Sequence, residues 1–126
     1  MKAIVIKQPF ASAIILGKKT VENRTWPTKY RGPLAIVAGR SKEYLKLDWS
    51  DDLPGIEVPN LPRGFIIGTV ELVDCVEFGK AHASDPWACG PWCFLLTNAK
   101  QLSKPIPIVG KLGIYPLPDD ISKSLR

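Results

Sequence analysis

The chain has 126 residues, the usual size of one globular domain, and its 45% hydrophobic content is enough for a real core. No apolar run approaches the ~20 residues of a membrane span, and the first residues lack the long apolar stretch of a cleavable signal. We therefore expect a cytoplasmic protein that does not enter a membrane. The net charge of +5 does not by itself indicate what kind of partner the protein binds; the distribution of the charge along the chain says more.

The positive charge is concentrated in one segment. Between Gly17 and Lys46 the sequence has eight basic and two acidic residues, a net +6, so the rest of the chain carries −1. Such a local field favours an anionic partner, with nucleic acid or a nucleotide first. The alternative is a solvated basic face without a ligand.

The first elements in chain order are a strand, a helix and an extended segment. Met1–Lys7 has β-branched residues at its centre and predicts a strand. Pro9 suits the opening of a short helix over Phe10–Leu16, which Gly17 ends in a left-handed conformation. Lys19–Arg24 then alternates with period two, as an extended segment does.

The middle of the chain predicts a buried strand and an irregular region. Leu34–Ala38 is a continuous apolar run of strand length, buried on both faces. Ser41 is placed to cap a short helix that runs to about Leu47. Asp48–Arg63 is acidic and proline-rich, which indicates an exposed loop that covers part of a site.

The second half alternates strands and turns. Gly64–Val76 has the strongest strand pattern in the chain, with Gly68 as a bulge. Further on we expect a loop over Glu77–Gly90 and a strand over Pro91–Asn98. A connection over Ala99–Lys104 then leads to Pro105–Tyr115, which we expect to form a proline-broken edge segment and a last strand.

Together these elements predict an α+β, mostly β fold: a small β-barrel of five or six strands with one to three short helices. We expect a single domain over residues 1–118 and a polar tail over 119–126, either a short helix or disordered. The three cysteines and the lone histidine are residue types that bind zinc, but their spacings fit no standard zinc knuckle. We therefore expect no metal and no cofactor.

Several stretches now carry a resemblance to a known family. They are Gln8-Pro9-Phe10-Ala11, the segment Gly17–Pro27 (GKKTVENRTWP), Tyr30-Arg31-Gly32, the strand Gly64–Leu72 and the segment Pro105–Ile114. In order and spacing the sequence resembles the ASCH domain family over nearly its whole length. The resemblance implies a PUA-like fold, an RNA-binding β-barrel with a cleft beside it.

The resemblance also implies two kinds of function. Members of the family are proposed to bind RNA or nucleotides, and some small members are amidohydrolases that deacylate N4-acetylcytidine or are ribonucleases. By position, Lys19 matches the amidohydrolases' catalytic lysine and Glu71 their catalytic glutamate. Their threonine nucleophile is replaced here by Glu22. The sequence therefore favours RNA or modified-nucleotide binding, with a small metal-independent hydrolase as the alternative.

The candidate catalytic group is a lysine between two carboxylates. If Lys19 lies between Glu22 and Glu71, the carboxylates favour its ammonium form and burial favours the neutral amine; we expect the charge to dominate. Glu71 would then act as general base. The alternative is a structural ion pair that positions the motif.

Ten further side chains are candidate ligand contacts because they combine hydrogen-bonding, cationic and aromatic groups around this motif. Asn23 suits a base edge, whereas Arg24 suits either a phosphate or an internal salt bridge. Trp26 suits either a stacked base or packing beneath its own loop. The full set is Gln8, Ser12, Lys18, Asn23, Arg24, Trp26, Lys29, Tyr30, Arg31 and Ser41. Trp87, Trp92 and Phe94 are expected in the core.

Overall fold

One curled sheet of six strands is the main element of this computed structural model, which describes residues 1–125. The strands are β1 Lys2–Ile6, β2 Val21–Arg24, β3 Gly32–Ala38, β4 Phe65–Glu77, β5 Trp92–Pro107 and β6 Ile114–Pro116. Two α-helices accompany them, α1 Phe10–Ile15 and α2 Asp119–Ser124, with two short 3₁₀ helices, Val58–Asn60 and Lys80–His82.

The strand order across the sheet is β2-β5-β4-β3-β1-β6. Only β1 and β3 are parallel, and the connection between them contains α1; every other neighbouring pair is antiparallel. The sheet curls into a half-barrel around a core. The predicted class is confirmed: the fold is α+β, mostly β, and PUA-like.

The two faces of β3 supply two different cores. Leu34 and Ile36 face the first core, beneath α1, whereas Ala35 and Val37 face the second. This alternation is the period-two geometry of a strand, and all four residues are at most 1% exposed. The prediction that this apolar run is buried on both faces is confirmed.

A single long β5 replaces the strand, connection and edge segment expected between Pro91 and Pro107. The expected connection over 99–104 was wrong because these residues pair with β4, for example Lys100 with Thr69. The pattern was hidden by bulges, one of which lies near Asn98, whose φ of 55° is in the left-handed region. The bulge expected at Gly68 is present as a register shift between Ile66 and Gly68.

The segment after Ser41 forms turns and not the expected helix. The Ser41 hydroxyl accepts the Glu43 N–H at 3.2 Å, as a helix cap would, but four-residue turns follow, such as the one that Leu45 N–H closes on the Lys42 carbonyl at 3.1 Å. The following loop is also less exposed than expected. Its Leu53 is 1% exposed and packs with Ala13 of α1 in a third apolar cluster.

Candidate functional site

A cleft of about 1100 Å³ opens where β1, β2 and β3 meet the surrounding loops. Five basic and two acidic side chains line it: Lys7, Lys19, Arg24, Arg40, Lys111, Glu22 and Asp52. Five aromatic side chains share its wall: Phe10, Trp26, Tyr44, Trp49 and Trp87. The cleft therefore joins a net positive charge to flat apolar surfaces.

The end of α1 determines where Lys19 points. Gly17 ends the helix with a φ of +78°, as predicted, and the Ala13 carbonyl then accepts the N–H groups of both Lys18 and Lys19, at 3.0 and 3.1 Å. This turn leaves the Lys18 side chain exposed and outside the cleft, whereas Lys19 turns inward and is only 3% exposed.

The Lys19 ammonium lies among one carboxylate, one carbonyl and two aromatic rings. Its Nζ is 3.4 Å from Glu22 Oε1 and donates to the Val21 carbonyl, and it lies 5.9 Å from the Phe10 ring centre and 6.0 Å from that of Trp87. Burial lowers the pKa of Lys19, and the Glu22 carboxylate opposes this only in part. Our expectation that the carboxylates would dominate is corrected: desolvation is the larger effect.

Glu22 also holds Arg24. Nε of Arg24 donates to Glu22 Oε2 at 3.1 Å, whereas Nη2 lies 3.0 Å from the same oxygen and donates to the Val5 carbonyl at 2.7 Å. Each carboxylate oxygen of Glu22 thus has one cation. Arg24 makes the internal salt bridge that the sequence left open, while its guanidinium still lines the cleft.

The Asn23 amide is engaged inside the protein. Nδ2 donates to the Trp87 carbonyl at 2.8 Å, and Oδ1 accepts the N–H groups of Cys89 and Gly90, both at 2.9 Å. Its expected contact with a base edge is therefore replaced by a structural task, which is to hold the loop that presents Trp87.

Gln8 and Ser12 are placed beneath the cleft and do not line it. Gln8 is fully buried and donates to the Ser12 hydroxyl at 2.8 Å and to the Pro62 carbonyl at 2.9 Å. Its Oε1 accepts the Ser12 N–H at 3.0 Å. This pair joins the start of α1 to the end of the 48–63 loop.

The tryptophans divide differently from the expectation. Trp26 packs edge-on against Phe94, with ring centres 5.3 Å apart, and also lines the cleft. Phe94 is in the core as expected, and Trp92 packs against it from a half-buried position. Trp87, expected in the core, is half-buried and lies in the cleft wall, parallel to Trp49 with ring centres 6.4 Å apart.

The other predicted contacts lie outside the cleft wall. Lys29 is exposed, the Tyr30 hydroxyl donates to the Pro33 carbonyl, and Arg31 lies 3.3 Å from Asp74. Ser41 is half-buried and caps its turn.

Glu71 does not join Lys19 and Glu22. It lies on β4 between Val70 and Leu72, which both face the first core, so its side chain points to the opposite face. Its carboxylate lies near Tyr30, whose pKa is raised by burial and by this charge, and it is not among the residues that line the cleft.

The sequence reasoning missed several cleft residues. Arg40 comes two residues after the end of β3 and belongs to the +6 segment, so its position near the strand end was a usable signal. Lys111 lies between Gly110 and Gly113, far along the chain, and contacts between distant segments, including the pairing of β6 with β1, bring it to the cleft. Trp49 and Tyr44 come from segments without a clear period.

Two other features of residues 1–125 bear on function. Within this part of the chain, no helix has the length and apolar character needed to cross a membrane, and no three His, Cys, Asp or Glu side chains cluster as a metal site would require. The three cysteines are free thiols, and Cys93 is fully buried.

Comparison with known proteins agrees with this fold. The chain is 30% identical to human activating signal cointegrator 1 and 29% identical to the mouse protein, over 96% and 94% of its own length. It spans only 23% and 22% of the length of those two proteins. The crystal structure of ASCH from Zymomonas mobilis superposes with a TM-score of 0.62 at 19% identity, covering 98% of this chain and 92% of that one. A mutant of that protein superposes with a TM-score of 0.61. The ASCH domain model matches residues 4–106, so this protein belongs to the ASCH domain family.

Proposed function

We propose that this ASCH domain binds RNA or a modified nucleotide in the basic cleft. The observation that carries the proposal is the combination of five cations and five aromatic side chains in the wall of one open cleft. A nucleotide presents a flat base and a charged phosphate, and these are the groups that aromatic faces and cations bind. The family's association with RNA binding supports the same ligand class.

The state of the buried motif also supports binding. Lys19 is 3% exposed, and both oxygens of Glu22 are already engaged by Lys19 and Arg24. A general base needs a free lone pair within reach of a substrate proton. The motif is therefore better suited to hold the cleft's charge and shape than to transfer protons.

Binding predicts a strong dependence on salt. We expect a fluorescently labelled single-stranded RNA of about ten nucleotides to bind with an affinity that falls steeply between low and physiological salt, because phosphate contacts release counterions. Replacing Trp87 by alanine should weaken binding by about 5- to 150-fold, the equivalent of one lost base stack of ~1–3 kcal/mol. Fluorescence anisotropy measures both effects.

The matched control is Phe78→Ala, which removes a partly exposed aromatic ring that does not line the cleft. This variant should bind RNA like the wild type. Binding that is undetectable or insensitive to salt would overturn the proposal, and so would equal losses in the two variants.

A small metal-independent hydrolase acting on an acylated cytidine, or a ribonuclease, is the second candidate. Its support is the position of Lys19 in the cleft wall, where its Nζ lies 3.4 Å from the Glu22 carboxylate and burial lowers its pKa. Purified wild-type protein should then convert N4-acetylcytidine to cytidine, or cleave RNA, and Lys19→Met should abolish this. Absence of turnover by well-folded wild-type protein would eliminate the candidate.

A further inference from the structure

Three segments that each carry a cation meet at Val5. Arg24 at the end of β2 donates Nη2 to the Val5 carbonyl at 2.7 Å. Gly39 and Gly110 both approach the Val5 side chain so closely that a Cβ would lie 3.1 and 2.6 Å from its methyl groups. The residues that follow these glycines are Arg40 and Lys111.

The close approach at Gly110 fixes where Lys111 lies. A separation of 2.6 Å is too short for any side chain, so only glycine lets the 108–113 loop lie directly on β1. Gly39 has a similar role at the end of β3. The two glycines thus place the backbones that precede Arg40 and Lys111 against the same residue of β1, and both residues line the cleft.

Arg40 is held in place from below. Its guanidinium lies across Gly64, where a Cβ would come within 3.2 Å of Cζ. The Gly64 N–H donates to the Ala38 carbonyl at 2.7 Å, and its carbonyl accepts the Ile108 N–H at 3.1 Å. Gly64, which lies beneath the Arg40 guanidinium, is therefore hydrogen-bonded to the start of the loop that carries Lys111.

The charges at this corner are not balanced within the described chain. Arg24 has Glu22 at 3.0 Å, whereas neither Arg40 nor Lys111 has a carboxylate within 4.0 Å among residues 1–125. Two uncompensated cations in the same cleft as Arg24 suit an anion of one or two charges with several acceptor oxygens, which describes a phosphate group. A carboxylate ligand has only two acceptor oxygens, so it would pair with the Arg40 guanidinium and leave Lys111 without a partner.

We propose that Arg40 and Lys111, beside Arg24, form a phosphate subsite, so that the cleft recognises a phosphorylated nucleotide and discriminates against the free nucleoside. This inference rests on the proposed function and specifies its ligand. The phosphate would belong either to a 5′-mononucleotide or to the phosphodiester of an RNA chain, with the base directed towards the aromatic side chains of the same cleft.

The test compares matched ligands on the full chain. The four ribonucleosides and their 5′-monophosphates are titrated into ¹⁵N-labelled protein by NMR, and a labelled RNA of about ten nucleotides is titrated by anisotropy. We expect a monophosphate to bind at least about tenfold more tightly than its nucleoside, the equivalent of one charge-assisted contact. Arg40→Gln and Lys111→Gln should each remove most of this difference between monophosphate and nucleoside.

The control is Lys104→Gln, which removes an equal charge from an exposed position of β5 outside the cleft. It should preserve the preference for monophosphate. If RNA binds but mononucleotides do not, the phosphodiester is the source, and each cleft variant should reduce the salt slope by about one.

The possible failures are distinguishable. If nucleoside and monophosphate bind equally, or if Arg40→Gln and Lys111→Gln leave both the preference and the RNA salt slope unchanged, the phosphate subsite is overturned while nucleotide binding stands. If neither RNA nor any nucleotide binds to the folded wild type, the proposed function and the subsite are both overturned.

Discussion

Glu22 is the carboxylate that separates two cations at the base of the cleft. Its side chain is 11% exposed, with Lys19 at 3.4 Å and Arg24 at 3.0 Å. A buried ion pair adds little compared with an apolar replacement of both partners, but removing one partner leaves an uncompensated charge. Here a single substitution would leave two such charges.

We predict that Glu22→Gln lowers the free energy of unfolding by about 3 kcal/mol, since it leaves Lys19 and Arg24 without a counter-charge. Urea denaturation followed by tryptophan fluorescence measures the change. Glu43→Gln is the matched control, because Glu43 pairs with Lys7 in solvent, with their side chains 53% and 50% exposed, and should change stability very little. Equal effects of the two substitutions would contradict the interpretation.

The lowered pKa of Lys19 predicts the direction in which folding stability changes with pH. Burial, its main cause, brings the folded-state pKa below the ordinary value of 10.5 that the unfolded chain retains. Between these two values the unfolded state binds more protons, so the stability contributed by Lys19 increases as pH rises towards 10.5. Below the folded pKa the unfavourable burial of the ammonium is fully present.

We therefore expect the stability of the wild type relative to Lys19→Met to increase from neutral pH to about pH 10. Taking the difference between the two proteins cancels the titration of groups that they share, including the tyrosines. Urea midpoints at both pH values give the result, and NMR of ¹³C-methylated lysines observes the titration directly. A difference that decreases with pH would show that Glu22, and not burial, dominates.

At the scale of elements, Asn23 is the link between β2 and the loop that presents Trp87. We predict that Asn23→Ala lowers the free energy of unfolding by about 2 kcal/mol, because three hydrogen bonds are lost and the half-buried backbone groups of Trp87 and Gly90 lose their partner. Amide exchange at Cys89 and Gly90 should become faster. Asn60→Ala, which removes an exposed amide bonded to Glu57, should do neither; if it does, the linking role of Asn23 is refuted.

Gly68 is the position where β4 leaves room for both β5 and α1. A Cβ there would lie 2.4 Å from the Lys100 carbonyl and 2.6 Å from Ile15 Cδ1. We predict that Gly68→Ala destabilises the protein by about 2–3 kcal/mol, because strand and helix must separate. Gly79→Ala is the control, since nothing lies within 4 Å of its Cβ position and its φ of −160° suits any residue. Equal urea midpoints for the two variants would contradict this.

Elements with a clear hydrophobic period, or with a glycine or proline at their end, could be predicted from the sequence. The β-branched centre of β1, the two-sided burial of β3 and the Gly17 stop after α1 follow from local patterns. The length of β5 could not be predicted, because its central residues are exposed and polar and pair only through bulges with β4. The predicted helix after Ser41 is absent: the Ser41 side chain makes the expected capping hydrogen bond, but turns follow it.

At the scale of the whole molecule, the cleft could be predicted only in part. The segment around Lys19 and Arg24 identified one wall, because its charge and aromatic content are local properties. The opposite wall depends on contacts between distant segments: β6 pairs with β1 near Lys111, and Asn23 of β2 holds the loop that presents Trp87. Alternation along β4 correctly separated Glu71 from its neighbours but did not show which face the cleft occupies.

The two ends of the described chain meet on one side of the sheet, and this contact tests where the domain ends. The Met1 nitrogen donates to the Ser122 hydroxyl at 3.1 Å, and Ser122 is 4% exposed. Ile121 and Leu125 of the α2 region pack against the second core, over Leu117. The α2 region therefore packs against the second core, which leads us to propose that it belongs to the domain.

We predict that truncation after Pro118 lowers the free energy of unfolding by about 2–3 kcal/mol, since it exposes the apolar surface that Ile121 and Leu125 cover, at roughly 1–1.5 kcal/mol for each partly buried side chain. The urea m-value should change little, because the rest of the sheet still unfolds as one unit. Lys123→Ala, which alters an exposed residue of α2, is the control and should leave the midpoint unchanged. If truncation leaves the midpoint unchanged as well, α2 does not belong to the cooperative unit, and a domain limited to residues 1–118 is sufficient.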